Sequence, residues 1–259
     1  MRRLILEEPV SRPARWSPVV AWYALVVTVM AVLLIRFGRV DYTAGFATLG
    51  AGLGLALVAI ALAVLGFVRI WQEGRRGLGS AVQGLVIAFV VLAYPGWFAV
   101  KAVTLPALND VSTDTDNPPS FSRSRAALEA RGGRVPPDVP PHVREAQREA
   151  YVQIAPLTLD LPPDEAFEIV RKAAQNRGWQ IIEAVKPGGR IGLGRLEAVD
   201  RTFLLRLPDD VTVRIRPRAD GTRIDIRSAS RIGKHDLGAN ADRIRAFLEE
   251  VSNLAIAAG

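Results

Sequence analysis

The residues best suited to chemistry crowd together near the C terminus: Arg214, Arg227, Ser228, Ser230, Arg231, His235, Asp236 and Asn240. Guanidinium groups bind carboxylates and phosphates through paired N–H donors, and hydroxyl, amide and imidazole groups add directional hydrogen bonds. The set therefore suits an anion, such as a lipid head group or another phosphate or carboxylate. The N terminus of the helix that follows would supply further backbone donors. The competing reading is a face whose charges are solvated or pair internally, with Asp209, Asp210 and Asp225 as the available carboxylates.

A different chemistry can be drawn from Ser230, His235 and Asp236, which are the side-chain types of a hydrolase. Closeness in sequence is not triad geometry, however, and no G-x-S-x-G turn is present to expose a nucleophile. Asp209 and Asp210 follow Pro208, a composition that favours a tight turn over paired acid and base. The chain has no cysteine and only two histidines, His142 and His235, so no metal and no cofactor is expected. A net charge of +7 raises the question of nucleic acid, but the basic residues are scattered rather than massed, which argues against it. Binding is expected in preference to catalysis, and no catalytic residue is assigned.

The elements that must position these residues follow from periodicity. Tyr151 to Asp160 alternates as a strand, and Pro163 opens a helix with Ala166, Phe167, Val170 and Ala174 on one face, stopped by Gly178. Trp179–Val185 and Ile191–Val199 read as strands around a turn at Pro187 to Gly189. Thr202–Leu207 and Val211–Arg216 are expected to form a hairpin about Pro208 to Asp210, setting Leu207 against Val211, Leu205 against Val213 and Phe203 against Ile215. A second hairpin turning at Asp220 and Gly221 would pair Arg216 with Asp225, Arg214 with Arg227 and Ile215 with Ile226. Opposed arginines are unfavourable unless a carboxylate or a bound anion lies between them. Leu237, Ala241, Ile244, Leu248 and Val251 mark a terminal amphipathic helix that Asp236 can cap. The sum is an α+β domain, an antiparallel sheet of about five to six strands with two helices on one face. Its element order is shared with helix-grip domains that hold apolar ligands, an analogy of order alone.

Ahead of this domain stand three apolar runs, Trp16 to Phe37, Gly45 to Trp71 and Ala81 to Val103. A helix needs about 20 apolar residues to cross a bilayer, and each run has them. The first is too long for a secretory signal. Arg2, Arg3, Arg12 and Arg15 before it, and Arg69, Arg75 and Arg76 around the second loop, outnumber Arg36 and Arg39 in the first loop. That bias puts the N terminus in the cytoplasm and the C-terminal domain outside, in the periplasm if the cell has two membranes. No Asp, Glu or His interrupts the runs, which disfavours an ion or proton path. Trp16, Trp22, Tyr23, Trp71 and Trp97 suit the membrane interfaces, and Pro95 should kink the third helix. Gly50 and Gly54, with Gly52 beside them, allow close helix approach, either among the three spans or in a homo-oligomer. The chain is thus read as residues 1–108 spanning the membrane, 109–150 a Pro-rich extended arm or linker with short helical turns, and 151–259 the α+β domain.

The stretch RLEAVDRTFLLRLPDDVTVRIRPRADGTRIDIRSASRIGKHDLGANADRIRAFL, Arg195 to Leu248, resembles the body of the DUF1499 family, which is named for its unknown function. NDVSTDTDNPPSF, Asn109 to Phe121, is similar to the family's opening motif, and AYVQIAPL, Ala150 to Leu157, extends the likeness over the whole tail. The motifs that carry it are Asp209 with Asp210, RSASR at Arg227 to Arg231, and DLGAN at Asp236 to Asn240; Val152 departs from the proline expected after the tyrosine. Three spans ahead of such a domain also fit the family. The resemblance implies no substrate. The expected protein is an anchored extracytoplasmic domain that binds membrane lipids, an anionic amphiphile or an envelope protein.

Overall fold

The computed structural model describes residues 9–188 and 192–258, so the expected strand start at Ile191 and the end of the turn at Gly189 lie outside the described residues. The chain divides into two compact units, residues 1–100 and 101–259.

The first unit is built on helices α1 (Arg12–Arg36), α2 (Tyr42–Glu73) and α3 (Leu78–Thr104), all three long and apolar enough to cross a membrane. Its packing is that of a protein dissolved in lipid: Ala14, Ala21, Ala24, Ala56, Ala59, Ala63, Ala81 and Ala88 are buried, while Trp16, Trp22, Val58, Leu65 and Phe89 face outward. Hydrocarbon gives large side chains no reason to hide, so small residues take the contacts and backbones close in. A Cβ on Gly84 would come within 1.9 Å of Ser17 Oγ, and one on Gly66 within 2.8 Å of the Ala14 backbone. The Ser17 hydroxyl donates to the Ala59 carbonyl at 2.9 Å, tying α1 to α2. A Cβ on Gly50 or Gly54 would meet nothing within 4 Å among the described residues, so the close approach within the chain falls to Gly52, which is pressed against Thr28. A parallel bridge between Val10 and Arg76 holds the N-terminal segment and the α2–α3 loop at the same end of the bundle.

The second unit contains β1 (Asp110–Ser112), α4 (Arg125–Ala130), α5 (Pro141–Ala150), β2 (Leu157–Leu159), α6 (Pro163–Asn176), β3 (Gln180–Val185), β4 (Gly194–Arg201), β5 (Pro208–Arg218), β6 (Gly221–Ser230) and α7 (Ala239–Ala258). The strands form one antiparallel sheet in the order β1-β6-β5-β4-β3, with β2 joining β6 beyond β1. Helices α6 and α7 pack on one face. There Phe167, Val170, Ile244, Phe247 and Val251 meet Leu196, Val213, Ile215, Ile224 and Ile226, all buried, and Trp179 stacks on Phe247 with ring centroids 4.7 Å apart. This is the α+β arrangement that the alternation predicts.

Two hairpins depart from the sequence expectation. Val211–Arg216 pairs with β4 instead of with Thr202–Leu207: Ala198 lies opposite Val211, Leu196 opposite Val213 and Gly194 opposite Ile215. Thr202–Leu207 is the turn between them, closed by Thr202 N–H donating to the Leu207 carbonyl, and Phe203 is 90% exposed. The run from Phe203 to Leu205 is continuously apolar and lacks the alternation a half-buried strand needs, whereas Leu196 and Ala198 have it. Asp209 and Asp210 consequently lie in the strand, both buried, and not in a turn. In the second hairpin Arg218 faces Gly221, which shifts the register by two and places Arg214 against Asp225, Arg216 against Arg223 and Thr212 against Arg227. Gly221 is needed at the strand end, where a Cβ would come within 2.2 Å of the Leu159 carbonyl oxygen. The strand expected over residues 151–160 shrinks to β2, because Tyr151 closes α5 and Ile154 N–H turns back to its carbonyl.

Candidate functional site

Period-two alternation along β5 and β6 sends the predicted site residues to opposite faces of the sheet. Arg214 and Arg227 point away from the helices, with Asp210, Thr212, Arg216, Arg223 and Asp225. Ser228 and Ser230 point toward α7. The outer face is charged, yet much of it is buried, because residues 113–140 run across it.

Three ion-paired centres join that segment to the sheet. In the first, Asp225 has no solvent exposure and accepts from Arg214 at 3.0 Å, Arg216 at 2.7 Å and Arg223 at 2.9 Å. Asp114 bridges Arg214 and Arg223, each at 3.1 Å. Burial alone would raise the Asp225 carboxyl, but the hydrogen bonds from Arg216, Arg223 and Arg214 outweigh it and hold it below the ordinary carboxylate range. In the second, Arg227 grips Asp110 through two nitrogens at 2.9 and 2.7 Å and also donates to the Pro137 carbonyl at 2.6 Å. Burial holds Asp110 above its usual value despite this partner.

The third centre is built on Arg131, which is buried. Its guanidinium pairs with Glu197, with Asp210 at 3.2 Å, and with the Ser122 carbonyl at 2.8 Å. Arg231 approaches the same Asp210 at 2.8 Å. Phe121 lies between the second and third centres, 4.9 Å from the Arg227 guanidinium and 5.0 Å from that of Arg131, so its ring faces contribute cation–π attraction where water is excluded.

The helix side has one centre, organised by Arg243 of α7. It pairs with Asp200 at 2.6 Å and with Asp209, and donates to Ser228 Oγ at 3.0 Å and Asn240 Oδ1 at 2.6 Å. The Asn240 amide donates to Ser230 Oγ at 3.0 Å and to the Asn109 carbonyl at 3.1 Å. Burial lowers the basicity of Arg243, but Asp209 and Asp200 more than offset it. Asp236 accepts from the Gly238 and Asn240 N–H groups at 2.9 and 2.8 Å, which caps α7 as its sequence position implies. His235 Nδ1 accepts from the Leu237 N–H at 3.1 Å, and its Nε2 is buried with no partner among the described residues.

Of the predicted set, Ser228, Ser230 and Asn240 come together around Arg243; Arg214, Arg227 and Arg231 belong to three different outer-face centres; His235 and Asp236 hold the turn into α7. Ser230 and His235 do not hydrogen-bond to one another, since the hydroxyl is engaged by Asn240 and Asp209. Asp110, Asp114, Arg131, Glu197 and Arg243 complete the centres and carry no local signal of their role beyond the two aspartates' place in the opening motif. Among the described residues no three His, Asp or Glu side chains converge as a metal site requires. Two concavities adjoin the outer-face centres. One of about 340 Å³ is lined by Pro119, Val185, Leu193, Arg195, Thr212 and Arg214, the other of about 280 Å³ by Arg134, Pro137, Val143, Asp210, Ser230 and Arg231 among others.

Three membrane-length helices followed by a sheet with helices on one face and an ion-paired segment across the other define a membrane-associated α+β protein. Residues 110–251 match the model of a family described as a protein of unknown function, DUF1499, and the chain belongs to that family. The match begins at β1 and takes in the segment that covers the outer face. No curated protein and no solved structure matches the chain.

Proposed function

We propose that this protein is a non-enzymatic binding domain held at a membrane, with its N terminus in the cytoplasm and residues 101–259 outside, where it binds an envelope lipid or another amphiphile. One observation carries the reading: the side chains that could do chemistry are used by the fold, whereas cavities open beside arginines on the face that residues 113–140 cover. Ser230 is held by Asn240 and Asp209, His235 by the Leu237 N–H, and Asp236 by the first turn of α7. The orientation rests on the arginine bias, with Arg12, Arg15, Arg69, Arg75 and Arg76 set against Arg36 and Arg39.

Two experiments test it. The chain has no cysteine, so single cysteines report topology without interference. Phe203→Cys should react with a membrane-impermeant maleimide in intact spheroplasts, and Gln72→Cys only after lysis; the reverse pattern would overturn the orientation. Native mass spectrometry of the full chain released from membranes should show one retained amphiphile per chain, and repeated preparations without one would remove the binding reading. A protein partner is the remaining outcome, seen as a stoichiometric co-purifying chain.

A further inference from the structure

The larger cavity has a feature that the paired centres lack. Arg195 on β4 lies directly opposite Arg214 on β5 and beside Val185 on β3, all on the outer face. The Arg195 side chain makes no ion pair and no hydrogen bond among the described residues, in a domain where most neighbouring arginines have a carboxylate. Arg214 spends its Nε and Nη2 on Asp225, Asp114 and the Asn117 carbonyl, which leaves Nη1 without an acceptor among the described residues. In this patch Asp114 and Asp225 pair with three guanidiniums, those of Arg214, Arg216 and Arg223, and Arg195 adds a fourth positive charge that neither carboxylate meets. Directly opposed like charges are unfavourable across a strand pair, and an anion seated between them reverses the sign.

The rest of the wall is apolar. Pro119, Val185 and Leu193 line the same cavity, whose volume of about 340 Å³ is at the small end for a ligand site. A site of that size with two guanidiniums at one side admits one chain, not two. We propose that this cavity binds a single-chain anionic amphiphile, with Arg195 and Arg214 Nη1 holding its phosphate or carboxylate and Pro119, Val185 and Leu193 enclosing the start of its apolar chain. The assignment rests on the amphiphile-binding reading above and names where that ligand sits.

The test uses the full chain in phosphatidylcholine nanodiscs, titrated calorimetrically with decyl phosphate against empty nanodiscs. Saturable binding of one equivalent is expected. Arg195→Gln should weaken it about tenfold, Arg195→Lys less, and Val185→Trp should prevent it by filling the wall. Inorganic phosphate should bind about a hundredfold more weakly, since it lacks the chain that buries against the apolar wall. Equal affinity for inorganic phosphate would mean a plain anion site and would overturn the amphiphile assignment. Unchanged affinity in Arg195→Gln and Val185→Trp, with native amide-exchange protection in β4 and β5, would overturn the location. If native mass spectrometry finds a lipid that both variants retain, the binding reading stands and this cavity is the wrong place; if wild type neither retains an amphiphile nor binds decyl phosphate, both fall.

Discussion

Arg131 and Glu197 form an ion pair in which neither side chain is exposed to solvent, and the arginine reaches on to Asp210 at 3.2 Å. Removing one partner of such a pair strands the other charge in the interior, which costs about 3–5 kcal/mol, far more than the pair itself contributes. Arg131→Ala strands Glu197 and leaves Asp210 with Arg231 as its remaining counter-ion, and should destabilise the domain by about that amount. Arg131→Met combined with Glu197→Gln removes charge from both sides and should recover much of the loss. Amide exchange across β4 and β5, followed by mass spectrometry, measures both. A loss below about 1 kcal/mol in the single variant would mean that the pair is solvated in solution.

Asp225 is the common counter-ion of Arg214, Arg216 and Arg223, and its pH dependence has a definite sign. Its folded carboxyl titrates below the ordinary value of 3.8, so its contribution is complete above that value and disappears as pH falls through the depressed one. Asp110, Glu197, Asp209 and Asp236 run the other way: burial raises them, and their contribution declines as pH rises through the carboxylate range. The wild-type stability curve is therefore a mixture, and the informative quantity is the difference from Asp225→Asn. That difference should be flat above about pH 5, near 3–5 kcal/mol, and should close below 3.8. A difference that grows on acidification would contradict the assigned direction.

How far the sequence reaches can be judged from these same residues. The three spans, the α6 start at Pro163, the stop at Gly178 and the cap at Asp236 are all legible, because each rests on a local rule of length, periodicity or turn chemistry. The register of β4 and β5 is not, since Thr202–Leu207 and Arg195–Val199 offer Val211–Arg216 competing apolar partners and only the packed core selects one. The candidate site fails to read for a related reason. Arg131, in a glycine- and proline-rich stretch, and Arg243, on a helix beside Asp242 and Arg245, look like solvated residues until the fold buries them. Charge alternation along β5 and β6 looks like a water-facing surface, and nothing local states that residues 113–140 will lie over it.

The hydrolase alternative makes a separable prediction. If Ser230 were a nucleophile, Ser230→Ala and His235→Ala would each abolish a turnover that wild type performs. The hydrogen bonds to Asn240 and Leu237 instead predict that neither change alters hydrolysis of a p-nitrophenyl ester, which should stay at the uncatalysed rate for all three proteins. Ser230→Ala should still cost about 1 kcal/mol of stability, because it leaves the Asn240 amide short of an acceptor. Ester hydrolysis that disappears in both variants would restore the enzyme.

Within the membrane unit the glycines divide by what stands next to them, and substitution separates the classes. Gly84 and Gly66 are pressed against Ser17 and Ala14, so Gly84→Leu or Gly66→Leu must push α1 away from its neighbours. Overpacking of this kind costs about 1–3 kcal/mol and should also weaken the Ser17 hydroxyl's bond to Ala59. A Cβ at Gly50 or Gly54 meets nothing within 4 Å among the described residues, so Gly50→Leu and Gly54→Leu should leave the folding of the unit unchanged. Thermal unfolding in a mild detergent distinguishes the two pairs, and sizing of the same samples by light scattering adds a second result. If Gly50→Leu and Gly54→Leu preserve the melting temperature but halve the mass of the detergent-solubilised particle, that glycine face joins two copies of the chain; an unchanged mass assigns it to lipid.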